Sequence, residues 1–269
     1  MLQFRFAALS DTGRVREHNE DAGFAGPYLL CVADGVGGAA AGEIASATTA
    51  YVVSARALAH PGLAPGRLLT AAVREAHEQL VAGVAAEPER AGMATTLTAI
   101  LTNGEHTSLA QVGDSRAYLL RGGRLTQISR DQTMVQELID AGRLTPEQAL
   151  TAPFRHVVTQ AVDADAEAEP VITDLDLRPG DRLLVCSDGA TDVLSPGALE
   201  LLLGADSLTM AAEALVCAAL DGGSRDNVTV VVADVVDAPA IVANGVPLGA
   251  GIDLGNVVDP TAVRPLRSA

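Results

Sequence analysis

The chain has 269 residues, 48% of them hydrophobic and 19% charged, enough apolar material for one large domain or two small ones. Its formal net charge of −16 argues against a nucleic-acid or anionic-membrane partner, either of which would need a basic face. No apolar run approaches the ~20 residues that cross a bilayer, and Met1-Leu2-Gln3-Phe4-Arg5 lacks the layout of a signal peptide, so a cytoplasmic protein is expected. Cys31, Cys186 and Cys217 are far apart with no CxxC pair, and read as plain buried thiols.

Phe4, Phe6 and Ala8 alternate with Arg5 and Ala7, which predicts an opening strand. The polar stretch from Ser10 to Asp21 has neither a helical nor a strand period. It reads as a surface loop or, functionally, as a loop in which Arg16 faces an anion while Glu20 and Asp21 approach a cation. Leu29 to Ala33 is a short apolar run that suits a strand covered on both faces, and it ends abruptly in Asp34, Gly35, Gly37 and Gly38. Delivering one acid from a buried strand to a glycine-rich turn fixes a ligand on a rigid support. Ala39 to Leu58 and Pro65 to Ala86 read as helices, the second with Pro in its first turn and an apolar stripe.

An antiparallel meander follows over Thr95–Thr102, Thr107–Val112, Ser115–Arg121 and Arg124–Gln127, with Asn103-Gly104 and Gly122-Gly123 as hairpin turns. The strand junction Val112-Gly113-Asp114-Ser115-Arg116 sets another acid, Asp114, beside a Gly. Asp131 to Ala141 and a short segment capped by Thr145 read as helices, and the polar segment onward to Pro170 as a flap over a site. Strands are expected at Val171–Leu177 and Asp181–Ser187, helices at Pro196–Leu203 and Leu208–Leu220, and a last apolar strand at Val228–Val236. Beyond Asp237 the composition turns to Pro, Gly and small residues. Residues 238–269 are therefore expected to be a flexible tail after a domain spanning 1–237.

The strand-to-acid design recurs in Leu183-Leu184-Val185-Cys186-Ser187-Asp188-Gly189, and in reverse in Asp226-Asn227-Val228-Thr229-Val230. Three strand-end acids whose convergence would place hard oxygen ligands together suggest a metal site. Each motif alone is modest, since Asp-Gly is common in turns. The ordered set is specific. Val15-Arg16-Glu17-His18-Asn19-Glu20-Asp21, Val32-Ala33-Asp34-Gly35-Val36-Gly37-Gly38, Gly92-Met93-Ala94-Thr95-Thr96, Val112-Gly113-Asp114-Ser115-Arg116, Cys186-Ser187-Asp188-Gly189 and Ser224-Arg225-Asp226-Asn227-Val228-Thr229 follow one another along the chain.

In this order, over about residues 4–236, the chain resembles the bacterial branch of the metal-dependent Ser/Thr protein phosphatases of the 2C type, the PPM family. The resemblance implies an α+β fold: a four-layer α-β-β-α sandwich, two antiparallel sheets face to face with helices on both outer sides. It implies two Mn²⁺ or Mg²⁺ ions between the sheets, with a third in bacterial members. Asp34 would bridge the two ions, the Gly35 carbonyl would coordinate one, and Asp188 and Asp226 would hold the other. Glu20, with Asp21, would act through bound waters, and Asp114 with the Ser115 carbonyl matches the third-metal position. Arg16 matches the phosphate-binding arginine. A metal-bridging hydroxide would attack phosphoserine or phosphothreonine in proteins, opposing bacterial Ser/Thr kinases; the oligomeric state defaults to monomer. The chain departs from the family where a histidine is common, with Val36, Ala39, Gln132 and Ala152 in such places, so no general acid is evident; His18 is the nearest candidate. This departure keeps two other readings open, a phosphatase-like regulatory domain and a hydrolase of small phosphate esters.

Overall fold

The computed structural model describes residues 1–36, 41–149, 151–241 and 244–262. Gly37 and Gly38 of the glycine-rich turn, Ala39 and the last part of the expected tail lie outside the described residues. In chain order the strands are β1 (Leu2–Asp11), β2 (Asp21–Ala25), β3 (Leu29–Val36), β4 (Ala94–Thr95), β5 (Leu97–Thr102), β6 (Thr107–Val112), β7 (Arg116–Arg121), β8 (Arg124–Gln127), β9 (Val162–Asp163), β10 (Val171–Asp174), β11 (Arg182–Cys186), β12 (Val228–Asp237) and β13 (Val246–Gly249). The helices are α1 (Gly42–Ala59), α2 (Pro65–Ala86), α3 (Met134–Asp140), α4 (Pro146–Ala149), α5 (Asp188–Thr191), α6 (Pro196–Leu203) and α7 (Leu208–Asp221).

One sheet runs β1-β12-β11-β7-β8 and the other β10-β6-β5-β3-β2-β13, with antiparallel pairing throughout. The layering follows from side-chain alternation. In β3, Leu29, Cys31 and Ala33 face a core shared with α1 and α2, while Leu30 and Val32 face the core between the sheets. In β12, Val228, Val230 and Val232 pack toward α7, while Val231, Ala233 and Val235 point between the sheets. Strands buried on both faces carry continuous apolar runs, and each fully buried Val or Leu adds about 1.5–3 kcal/mol. The expected four-layer sandwich is the one observed.

Two local readings are corrected, and one strand is added. Short β2, built from Asp21, Ala22, Gly23, Phe24 and Ala25, carries no readable strand pattern, yet all five of its residues are buried. Cys217 is exposed on α7, unlike Cys31 and Cys186. The segment expected as a loose tail contributes β13 to the edge of the second sheet, and Ala250 and Val257 join the core over α1. Among the described residues, no helix is long and apolar enough to cross a membrane.

Candidate metal centre

Antiparallel pairing brings the ends of β1, β3, β6 and β11 and the starts of β2, β7 and β12 to the same edge of the sandwich. The register sets Asp21 of β2 directly opposite Asp34 of β3. β11 runs out into Ser187 and then Asp188 at the start of α5, beside the start of β12 after Asp226. Gly189 permits this approach, because a Cβ there would lie 1.9 Å from the Asn227 carbonyl oxygen. The result is a cleft of about 1010 Å³ lined by Arg16, Glu20, Asp34, Gly35, Asp188 and Asp226, among others.

Buried polar side chains hold these acids in place. Ser187 Oγ donates to Asp21 Oδ2 at 2.7 Å and accepts from Thr229 N at 3.0 Å. Asn227 is the tie for the Arg16 loop: its Nδ2 donates to the carbonyls of Thr12 and His18, and its Oδ1 accepts from Glu20 N at 2.8 Å. Thr95 Oγ1 and Thr96 N both donate to the Asp34 carbonyl at 2.8 Å, which gives the Gly92–Thr96 motif its role. Gln132 clamps the Asp114 turn: its Oε1 accepts from Gly113 N at 2.7 Å.

The neighbouring Asp131 carboxylate accepts from Arg116 Nε and NH2 in a bidentate pair. Its side chain is 9% exposed against 32% for Arg116, so Asp131→Ala would strip a partly buried guanidinium of its bidentate partner. The expected loss is about 3 kcal/mol, at the low end for buried pairs because Arg116 retains some solvent, and urea unfolding would measure it.

Electrostatically the site is overloaded with like charge. Burial, reinforced by Asp21, Asp188, Asp114 and Asp226, drives the Asp34 carboxyl well above the ordinary carboxylate range. Asp21 and Asp114 are each pushed up to about 7, and Asp188 to about 6, in every case mainly by burial. Glu20 is raised as well, by burial and then by Glu43. Such a set, all hard oxygens, suits Mg²⁺ or Mn²⁺.

The expected residues do not all stand in the cleft. Asp21 lies behind it, 1% exposed and bonded to Ser187. Arg16 stands at the mouth with NH2 2.7 Å from Asp226 Oδ2, and this contact is the main cause of its raised pKa. Ser115 is corrected as a carbonyl ligand. Its oxygen accepts from Gln111 Nε2 at 2.7 Å and lies 2.7 Å from Thr98 Oγ1, both buried, so its lone pairs are engaged inside the sheet.

Sequence reasoning missed Asp192 and His156. His156 Nδ1 lies 3.3 Å from Asp192 Oδ2, and these two with Asp188 offer ligand atoms within 4.8 Å of one another. Asp192 was within reach, since four residues after Asp188 is one helical turn. His156 comes from the irregular flap and had no signal. It lines the cleft, whereas the side chain of His18, the expected candidate, is exposed and its carbonyl serves Asn227.

The profile of the protein phosphatase 2C family matches residues 14–220. The chain belongs to that family. It is 48% identical over 241 residues to the serine/threonine protein phosphatase PstP of Mycobacterium tuberculosis, covering 88% of this chain and 46% of PstP. The chain thus spans about half the length of these curated relatives. Against the serine/threonine phosphatase stp of Listeria monocytogenes it is 31% identical over 242 residues, covering 84% of this chain and 93% of stp. The crystal structure of PstP/Ppp superposes with a TM-score of 0.82 at 46% identity, over 87% of this chain and all of that one. The PstP catalytic domain in complex with two manganese ions gives 0.79 at 46% identity, over 88% of this chain and all of that one.

Proposed function

We propose that this family member hydrolyses phosphoserine and phosphothreonine in proteins, with two Mn²⁺ or Mg²⁺ ions held between the sheets. The observation that carries the reading is the convergence of Asp34, Asp188, Asp226 and Glu20 on one cleft with Arg16 at its mouth. The names of the PstP and stp relatives, and the two manganese ions of the PstP catalytic domain, support it. Asp34 and the Gly35 carbonyl would hold one ion, Asp188 and Asp226 the other, and Glu20 would orient bound water. Asp114 beside Asp188 would serve a third. Bound divalent ions supply an activated water near neutral pH and offset charge on the phosphoryl group.

The chain's own residues do the rest. Arg16, half exposed and paired with Asp226, has the planar fork that fits two phosphoryl oxygens at once. Ser187 holds the Asp21 carboxylate, and Asn227 fixes the backbone at Glu20. Phosphorylated proteins of the cytoplasm, including kinases and their targets, are the proposed substrates.

The test is phosphate release from a phosphothreonine peptide with Mn²⁺ added and then chelated, beside p-nitrophenyl phosphate. Turnover that needs the metal and favours the peptide by kcat/KM is the expected outcome. Tight Mn²⁺ binding without turnover would favour the regulatory reading, and preference for the small ester would favour the third. Arg16→Ala is expected to raise KM for the peptide roughly tenfold, with a smaller fall in kcat. An unchanged KM would remove Arg16 from the phosphate site.

A further inference from the structure

β12 closes one sheet at Asp237, and the chain then crosses to the other sheet, where β13 pairs antiparallel with β2 from Val246↔Ala25 to Gly249↔Ala22. These residues lie beyond the 14–220 that the family profile matches. The described residues on either side of the crossing are tied down. Gln3 Nε2 donates to the Pro239 carbonyl at 2.6 Å, and Leu248 is buried between the sheets. Ala250 and Val257 are buried in the helix-side core. Val258 N donates to Thr48 Oγ1 of α1 at 3.1 Å, and the Tyr51 hydroxyl donates to the Pro260 carbonyl at 2.8 Å. The segment therefore joins β2 to α1.

Gly249 is where this segment meets the carboxylates. Its φ is +54°, and a Cβ would fall 2.1 Å from the Asp21 carbonyl oxygen and 2.9 Å from Ser10 Oγ. The Ser10 hydroxyl belongs to the network that positions Asp21. Ser10 Oγ accepts from Asn19 Nδ2 at 2.9 Å, and Asn19 Oδ1 accepts from Asp21 N at 3.1 Å. On the other side, the Glu20 carbonyl accepts from Ser46 Oγ of α1 at 2.5 Å. The segment bears on Asp21 through Gly249 and on Glu20 through α1.

We propose that residues 246–260 are a positioning strap: by clamping β2 to α1, they set Glu20 and Asp21 in the geometry that binds divalent cations. The strap rests on the metal-dependent reading above. Ligating groups need their support fixed to within about 0.5 Å, and β2 without β13 would be a free sheet edge. Linkage makes the effect reciprocal: if the strap tightens metal binding, the metal tightens the strap by the same factor.

Calorimetric titration of the full chain with Mn²⁺, together with native-state hydrogen exchange with and without Mn²⁺, tests this. Gly249→Ala is expected to weaken Mn²⁺ binding at least fivefold. Gly62→Ala, outside the strap, is expected to leave it unchanged, because a Cβ there meets nothing within 4 Å. In the unmodified chain, Mn²⁺ should slow exchange at Leu248 and Gly249 more than at Leu125 and Thr126 of β8, on the remote edge of the other sheet. A folded Gly249→Ala protein that binds Mn²⁺ like the unmodified chain overturns the strap. Should that variant not fold, equal slowing at β13 and β8 overturns it instead. An unmodified chain that binds no Mn²⁺ overturns the metal-dependent reading, and the strap with it.

Discussion

Asp188→Ala is expected to lower Mn²⁺ affinity by at least about 100-fold, beyond the ~10–100-fold that loss of an outer-shell partner costs, and to remove measurable turnover. The same change should leave the metal-free fold as stable as before, or more so. Asp188 is held near pKa 6 by burial and by the charges of Asp192 and Asp226, so in the metal-free protein its ionised carboxylate is a liability near neutral pH. A cation reverses the sign. Binding stabilises the fold by about 2.7 kcal/mol at a hundredfold excess over Kd, and this increment should vanish in the variant. Thermal unfolding with and without Mn²⁺ separates the two effects. A variant that keeps full turnover, or the full metal-induced rise in Tm, would show that Asp188 is not a ligand.

Some of this was legible in the chain and some was not, for physical reasons. β3 and β12 were readable because strands covered on both faces must be apolar at every position, and Asp34 was conspicuous because it broke such a run. β2 was hidden by its small residues. β13 was hidden by Pro247, which a strand tolerates only where its missing N–H is not needed, as at the outer edge that β13 occupies. Asp34, Asp188 and Asp226 were readable because each adjoins a strand end, and antiparallel pairing can bring such ends together. The Ser115 carbonyl was misread because backbone direction leaves no trace in residue identity; only the buried Gln111 and Thr98 beside it reveal that its oxygen is already engaged. His156 reaches the cleft from a segment whose path depends on Thr133 pairing with Val158, a contact that no local pattern announces.

The metal-free protein is expected to gain stability as pH falls from 7.5 to 5.5, while its Mn²⁺ affinity falls over the same window. Asp21 and Asp114 are pushed up to about 7 and Asp188 to about 6 in the folded chain, all above the ordinary value of 3.8, mainly by burial. A carboxyl with a raised folded pKa binds its proton more tightly in the native state. Its stabilisation is fully present below the unfolded pKa and is lost as pH rises through the folded one. For Asp21, only 1% exposed, the rise from 3.8 to about 7 is on the order of 4 kcal/mol across that range. Asp181 works in the opposite sense: its pKa is depressed, in part by Arg121, so its contribution is lost only on acidification toward the unfolded value and below, outside the chosen window. Protons and divalent cations thus compete for the same oxygens, and uptake of Mn²⁺ near pH 7 should release protons. Asp21→Asn offers the sharpest check, because an amide oxygen can still accept from Ser187 Oγ but cannot ionise. The variant should flatten the pH dependence of the metal-free Tm and raise that Tm at pH 7.5. If Tm instead rose with pH in the unmodified, chelated protein, the carboxylates would not be held protonated, and the crowding that makes this cleft a cation site would be wrong.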